Sequence, residues 1–441
     1  MGKTMKTADI AILCLLCLSF SAHADNLSDV EQIGTGHSLT IEQEHVNGSG
    51  TNSSAVHQDG TGHSATVLET SSIGGSNSAA IRQDGTGQKA SVVQQSAHAN
   101  TLTIEQAGIS NETRVKQVSD PAPIELLVRQ SGNGNSASIL QQSEGAVLRA
   151  EIEQVGQGNS AELEQYDGSA VSVTHQTGDD NRAKVVQSPS MDGSVSLSIE
   201  QIGARNSADV SQISIATAEI FQNGANNDVT LLQGGGFRSN ALIRQDGTDN
   251  RANVTQTGGY TASDADLVQT GNANRATLLQ DGGDMHIVAT LHQNGSGNTI
   301  DAHQTRNNTT NTLTIRQDGS GDQATALQTG VFGSNTAEIE QSGSTNVADL
   351  HQESQGVGNK SLLKQNGDGN NATVLQSGSF FDVIPEPRNF SDITIDGSSN
   401  QVTVSQSSII NFPIDGVNTN TATIHTVGNG NKVSVTQSAG P

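Results

Sequence analysis

The chain has 441 residues, of which 32% are hydrophobic and 2% aromatic, with no Trp and 48 Gly. That is too few large apolar side chains for the three ordinary domains its length would allow. Its 21 Lys+Arg against 45 Asp+Glu give a formal net charge of -24, which argues against nucleic acid or an anionic membrane surface as partner. So polar a chain reads as disordered by default, but this one is periodic, and periodicity implies order.

At the N-terminus, Lys3 and Lys6 precede an apolar run from Ile10 to Phe20, and Ser21-Ala22-His23-Ala24 offers an A-x-A site before Asp25. This pattern predicts a secretory signal peptide over residues 1–24, cleaved between Ala24 and Asp25. The run is too short to span a bilayer, and no later segment reaches 18 consecutive apolar residues, so no membrane insertion is expected. Both cysteines, Cys14 and Cys17, lie inside the signal, so the exported chain must hold together without disulfides.

From Asp25 onward one unit recurs seventeen times, with a mean period of about 25 residues, a length typical of solenoids. Fifteen copies open on Gln: Gln32, Gln58, Gln83, Gln106, Gln130, Gln154, Gln176, Gln201, Gln222, Gln245, Gln269, Gln293, Gln317, Gln341 and Gln365. Ile395 and Thr426 take that place in the last two. Two residues on, every copy has Gly; five on, thirteen have Asn, with His37, His63, Gln88 and Asp322 in the others. Ala dominates seven on (Ala65, Ala137, Ala161, Ala372), and nine on every copy is aliphatic, from Ile41 to Val435. Eleven on stand Gln43, Gln94, Gln117, Gln141, Gln165, Gln187, Gln212, Gln233, Gln256, Gln280, Gln304, Gln328, Gln352, Gln376, Gln406 and Gln437, with Glu69 the exception.

These positions, with the residues two before each opening position, aliphatic in all copies but the one with Thr174, alternate with period two, the signature of strands with one face buried. Gly at +2 and Asn or Gly near +4 and +5 read as turn residues because they tolerate positive φ; examples are Gly132 and Asn135, Gly156 and Asn159, Gly178 and Asn181, and Gly367 and Asn370. Each copy thus reads as strand, tight arc, strand, longer arc. The expected fold is all-β: a parallel β-solenoid of about seventeen strand-turn-strand rungs, cross-β and amyloid-like. Residues 25–376 form the regular repeats, and 377–441 form two further repeats with longer arcs. Those arcs hold Phe380, Phe381, Pro385, Pro387, Phe390, Phe412 and Pro413. With Pro121, Pro123 and Pro189, every internal proline is expected in a longer arc, as strand pairing requires.

One rung offers about six inward side chains, too few to offset its ordering entropy. Stacked at about 4.8 Å, each strand pairs with the rungs on either side. A buried Gln would be costly alone, but in a column each amide can donate to the next. The two Gln columns are therefore expected to form structural ladders.

The run Gln130-Ser131-Gly132-Asn133-Gly134-Asn135-Ser136-Ala137 to Gln141 resembles the curlin repeat of curli fibre subunits, and it recurs at Gln154 to Gln165 and Gln365 to Gln376. The resemblance implies a secreted bacterial functional amyloid that polymerises outside the cell in a biofilm matrix. Its implied partners are further copies of itself, other curlin subunits with a nucleator among them, and an outer-membrane export channel. The chain departs from the family in having seventeen repeats rather than a handful. Only Asp25 to about Asp29 stand where the major subunit has a Gly-rich segment, and Asn52, Asn77, Asn100, Asn311 and Asn335 replace the usual Ser.

Little else suggests chemistry. His57, His175, His292, His303 and His351 each precede a ladder Gln, so they point outward. His37 and His63 share a column but are only two ligands, short of a metal site. Asp59, Asp84, Asp246 and Asp318 read as solvated charge. No catalytic motif is present, and no catalytic, cofactor or metal site is expected. The leading expectation is a fibre subunit for biofilm matrix, aggregation and adhesion. The alternatives are a monomeric solenoid adhesin or binding module and a fibre nucleator; an enzyme or ice binder lacks its signature. The short flanks before Val30 and after Gln437 leave no room for caps, which favours end-to-end growth.

Overall fold

Period-two alternation becomes, in space, a stack of strands that each bury one face. The computed structural model describes residues 25–439 apart from 47–49, 73, 121, 146, 190–192, 236, 259–261, 284–285, 307–309, 357, 380–386 and 410–418, all in the longer arcs. The expected signal segment lies outside the described residues, as do Pro121, Phe380, Phe381, Pro385, Phe412 and Pro413. The fold is an all-β parallel solenoid, with 34 strands and no helix among the described residues. Each copy of the repeat makes one rung of two strands. Rung 1 is β1 (Asp25–Thr35) and β2 (Ser38–Val46), rung 2 is β3 (Thr51–Thr61) and β4 (Ser64–Ser72), and rung 3 is β5 (Ser76–Thr86) and β6 (Lys89–Ser96).

Each strand lies parallel to its counterpart in the next rung, like residue on like: Gln32 beside Gln58, Gly34 beside Gly60, Ala65 beside Ala90. A slip of one residue would turn every buried side chain outward, so the hydrophobic pattern fixes this register. The chain divides into two units, Met1–Ser207 and Ala208–Pro441. In the first unit the opening strands of rungs 1 to 8 form one sheet and the second strands of rungs 1 to 7 another. The second unit repeats the arrangement through rungs 9 to 17. Each unit has a thin core of small and branched residues, such as Ala65, Val67, Ile104 and Ile152 in the first and Ile220, Leu231, Ile243 and Ala372 in the second.

Pro387 and Phe390 correct one expectation: Pro387 opens the strand Pro387–Asp396 and Phe390 lies within it, so neither lies in an arc. Register shifts there, with Gly358 beside Pro387 but Asn359 beside Asn389. The first residue of a strand is a place where a missing N–H is tolerated. Pro123 and Pro189 do lie in longer arcs.

The invariant glycine, expected in the tight arc, lies instead just before the end of the opening strand, as Gly132 does in the strand Ile124–Asn133, Gly156 in Leu148–Gln157, Gly178 in Ser169–Asp179 and Gly367 in Gly358–Asp368. Gly132 has φ of 116°, and a Cβ there would come 2.0 Å from the carbonyl oxygen of Gly156 in the next rung. On the outer face, opposite charges stack across rungs, as in Arg129 with Glu105 at 3.0 Å and Lys364 with Glu340 at 3.2 Å. Exposed pairs of this kind contribute about 0–1 kcal/mol each; they reinforce a register that burial has already set.

Candidate functional site

The polar interior is the feature that distinguishes this solenoid. In the opening-strand column of the first unit, Gln32 Nε2 donates to Gln58 Oε1 at 2.6 Å and Gln58 to Gln83 at 2.8 Å; the chain of bonds continues through Gln106, Gln130, Gln154 and Gln176 to Gln201. In the second unit it runs from Gln222 through Gln245, Gln269, Gln293, Gln317 and Gln341 to Gln365. Ile395 and Thr426 then replace the amide. The second-strand column links Gln94, Gln117, Gln141, Gln165 and Gln187 in the first unit. In the second it runs from Gln212 through Gln233, Gln256, Gln280, Gln304, Gln328, Gln352, Gln376 and Gln406 to Gln437.

Between neighbouring Gln amides of these two columns, the lower-numbered rung donates in every bond given above. The same amide nitrogen also serves a backbone carbonyl, as Gln154 does with Ser136 at 3.1 Å and Gln165 with Arg149 at 3.2 Å. Gln154 and Gln165, both 0% exposed, thus have donor and acceptor both used. This full pairing is what makes a buried amide tolerable.

The Asn at +5 does something the sequence reading missed. The left-handed residue is the one before it, such as Ser110 at φ 57°, Gly134 at 66° or Asp180 at 56°. The asparagine is buried and builds a third ladder. Asn135 Oδ1 accepts the backbone N–H of Asn159 at 3.0 Å, and Asn135 Nδ2 donates to Ser131 O at 3.2 Å and Gly156 O at 3.1 Å. Asn159 and Asn181, and in the second unit Asn346 and Asn370, repeat the pattern. A fourth column stands six residues before the opening position: Asn77 donates to Asn52 at 3.1 Å, Asn335 to Asn311 at 3.2 Å and Asn359 to Asn335 at 3.0 Å. Its even offset from the opening Gln was the signal that it faces inward.

Two carboxylates interrupt these ladders. Glu69, 1% exposed, accepts from Gln43 Nε2 at 2.7 Å through Oε2, while its Oε1 has no partner. Asp322, 0% exposed, accepts the Asn346 N–H at 2.8 Å and Asn346 Nδ2 at 3.1 Å through Oδ1, while its Oδ2 has none. Burial pushes both carboxyls above the ordinary carboxylate range, against the hydrogen bonds that pull them down.

The histidines of rungs 1 and 2 stack at 5.0 Å with ring planes 7° apart. Their nitrogens are engaged. His37 Nδ1 accepts from the His63 N–H at 3.3 Å and His63 Nδ1 from the Gln88 N–H at 3.2 Å; the Nε2 atoms lie 3.0 Å from Ile33 O and 2.9 Å from Asp59 O. These rings are ladder members with no lone pair to offer a metal. On the outer face His57, Asp59 and Asp84 bring donor atoms within 4.8 Å of one another. Arg82 Nε already sits 2.8 Å from Asp84 Oδ2, and Glu31 lies 3.0 Å from His57 Nδ1, so the trio belongs to an ion-paired patch.

Residues 216–258 match the family model described as the curlin associated repeat. That segment is a curlin repeat. It spans most of rungs 9 and 10, and its ladder amides Gln222, Gln233, Gln245 and Gln256 are all fully buried. The curlin repeat and the β-solenoid together point to a curli-like structural or adhesive protein. No curated protein matches the chain.

Proposed function

We propose that the chain is a secreted structural subunit that adds to copies of itself, end to end, to form curli-like amyloid fibres at the cell surface. The observation that carries this reading is the polarity of the ladders. In each unit the bonds between the Gln amides run one way, Nε2 of one rung to Oε1 of the next. The donor side of any Gln rung therefore complements the acceptor side of any other, and parallel backbone edges in the same register complement each other likewise. A head-to-tail contact of this kind, where its rotation does not close a ring, generates an open filament. Biofilm matrix, adhesion, other curlin subunits and an outer-membrane export channel enter the reading through the curlin repeat at residues 216–258.

Electron microscopy and fibre diffraction test it. The chain from Asp25 onward, incubated at micromolar concentration, is expected to give fibres with reflections near 4.7–4.8 Å and about 10 Å. A chain that stays monomeric for days under these conditions overturns the fibre reading and leaves the monomeric adhesin.

A further inference from the structure

Glu69 and Asp322 stand in different columns and different units, yet each lacks the same thing. In the second-strand column the amide of one rung donates to Oε1 of the next. At rung 2 the amide is replaced by a carboxyl. Its Oε1 has no partner, and neither has Oε1 of Gln94, its register neighbour in rung 3. Two buried acceptors thus stand where the column requires a donor and an acceptor. At Asp322 the missing donor is the equivalent of Asn Nδ2. Asn298 uses that atom to reach Asn294 O at 3.2 Å and Gly319 O at 3.1 Å, and Asn346 to reach Ser342 O at 3.3 Å and Gly367 O at 2.8 Å. The repeat assigns Asp318 O and Gly343 O to the same role at Asp322, where an unpartnered carboxylate oxygen replaces the donor.

We propose that Glu69 and Asp322 are protonation-operated latches: each completes its ladder as a neutral carboxylic acid, and ionisation opens the ladder at that rung. The proton sits on the orphan oxygen, Glu69 Oε1 donating to Gln94 Oε1 and Asp322 Oδ2 donating to the Asp318 and Gly343 carbonyls. No covalent step is involved.

The surroundings do not offer the ionised forms a counter-charge. Among the described inward-facing residues of β1 to β6, the one other titratable group is His45, whose Nδ1 lies 2.6 Å from Ser71 Oγ. The described inward positions of rungs 12 to 14, either side of Asp322, carry no charge along their strands. The nearby charges are Asp318, whose carboxylate is paired with Arg316, and Asp368, which disfavours a second negative charge. Burial raises both carboxyls. A group raised in the folded state contributes stability that is fully present below its unfolded value, about pH 4, and is lost as pH rises through its folded value.

Hydrogen exchange of the full chain, read by peptide, tests the latch against the double variant Glu69→Gln/Asp322→Asn, which installs the residue each column otherwise uses. Between about pH 4 and pH 8, protection around residues 64–96 and 322–347 in the wild type should fall relative to the variant. The fall should reach at most about tenfold per pH unit for each carboxyl, while residues 136–165 show none. A wild-type to variant ratio that is flat with pH, or a loss spread evenly along the chain, overturns the proposal. Infrared spectroscopy reads the proton directly: at about pH 6, above the ordinary carboxylate range, the wild type should show a protonated carboxyl C=O band. Its absence overturns the proposal even if the variant fails to fold. Glu153→Gln, on the outer face, should leave both readouts unchanged.

Discussion

The tight-arc column does one job with different side chains in its early and later rungs. In rungs 1 to 3 it holds His37, His63 and Gln88; from rung 4 it becomes Asn111, Asn135, Asn159 and Asn181. In both stretches an acceptor takes the next rung's N–H and a ring or amide nitrogen serves the carbonyl four residues back. For His63 these distances are 3.2 and 2.9 Å, for Gln88 2.8 and 3.1 Å, for Asn111 2.9 and 2.9 Å. Asparagine adds a bond that neither of the other two shows, from Nδ2 to the next rung's Gly carbonyl, as Asn111 does with Gly132 at 3.0 Å. What the column requires is an acceptor directed at the next rung and a donor directed back down its own; residue identity is free within that limit.

Substitutions at four positions would break or sharpen the comparison. The largest effect is expected from Gln154→Lys, which buries an unpaired charge in a position that is 0% exposed. It should destabilise rungs 5 to 7 by more than Gln154→Leu, whose cost is about 1–3 kcal/mol for the partners left unsatisfied. Hydrogen exchange around residues 130–187 would show the order, and equal protection in the two variants would place Gln154 outside the buried column. Next comes Asn159→Leu, which strands the Asn181 N–H and the Gly178 carbonyl. A loss of about 1–3 kcal/mol is expected, read as the urea midpoint of a fragment of about four repeats.

His63→Asn tests the comparison itself. It keeps both bonds of the early-rung pattern and can add the third, so a change within about 1 kcal/mol is expected; a loss comparable to that of Asn159→Leu would show that the stacked rings contribute something asparagine cannot. The smallest effect belongs to Glu153→Gln. Glu153 faces outward beside His175, 3.8 Å away, both partly exposed, and replacing it should shift the midpoint by no more than about 0.5 kcal/mol.

The sequence by itself determined the rung, its two strands and the phase of the inward columns along those strands, because a period of two repeated seventeen times leaves one face for the core. The Gln ladders follow from that phase with elementary chemistry: a buried amide needs partners, and the ones at fixed spacing are its own copies. Other features depended on three-dimensional placement. The sequence marks Asn135 and its equivalents as turn residues, since Asn tolerates positive φ, yet the arc gives that conformation to the preceding residue and turns the Asn inward. Glu69 and Asp322 are visible in the sequence as exceptions, but the unpartnered oxygen on each exists only once a neighbouring rung stands about 4.8 Å away with its own donors already used. Pro387 could open a strand because it is the first residue of Pro387–Asp396, where a missing N–H is tolerated. Periodicity states which side chains face inward; which of their atoms find partners is decided by the distance and direction of the next rung.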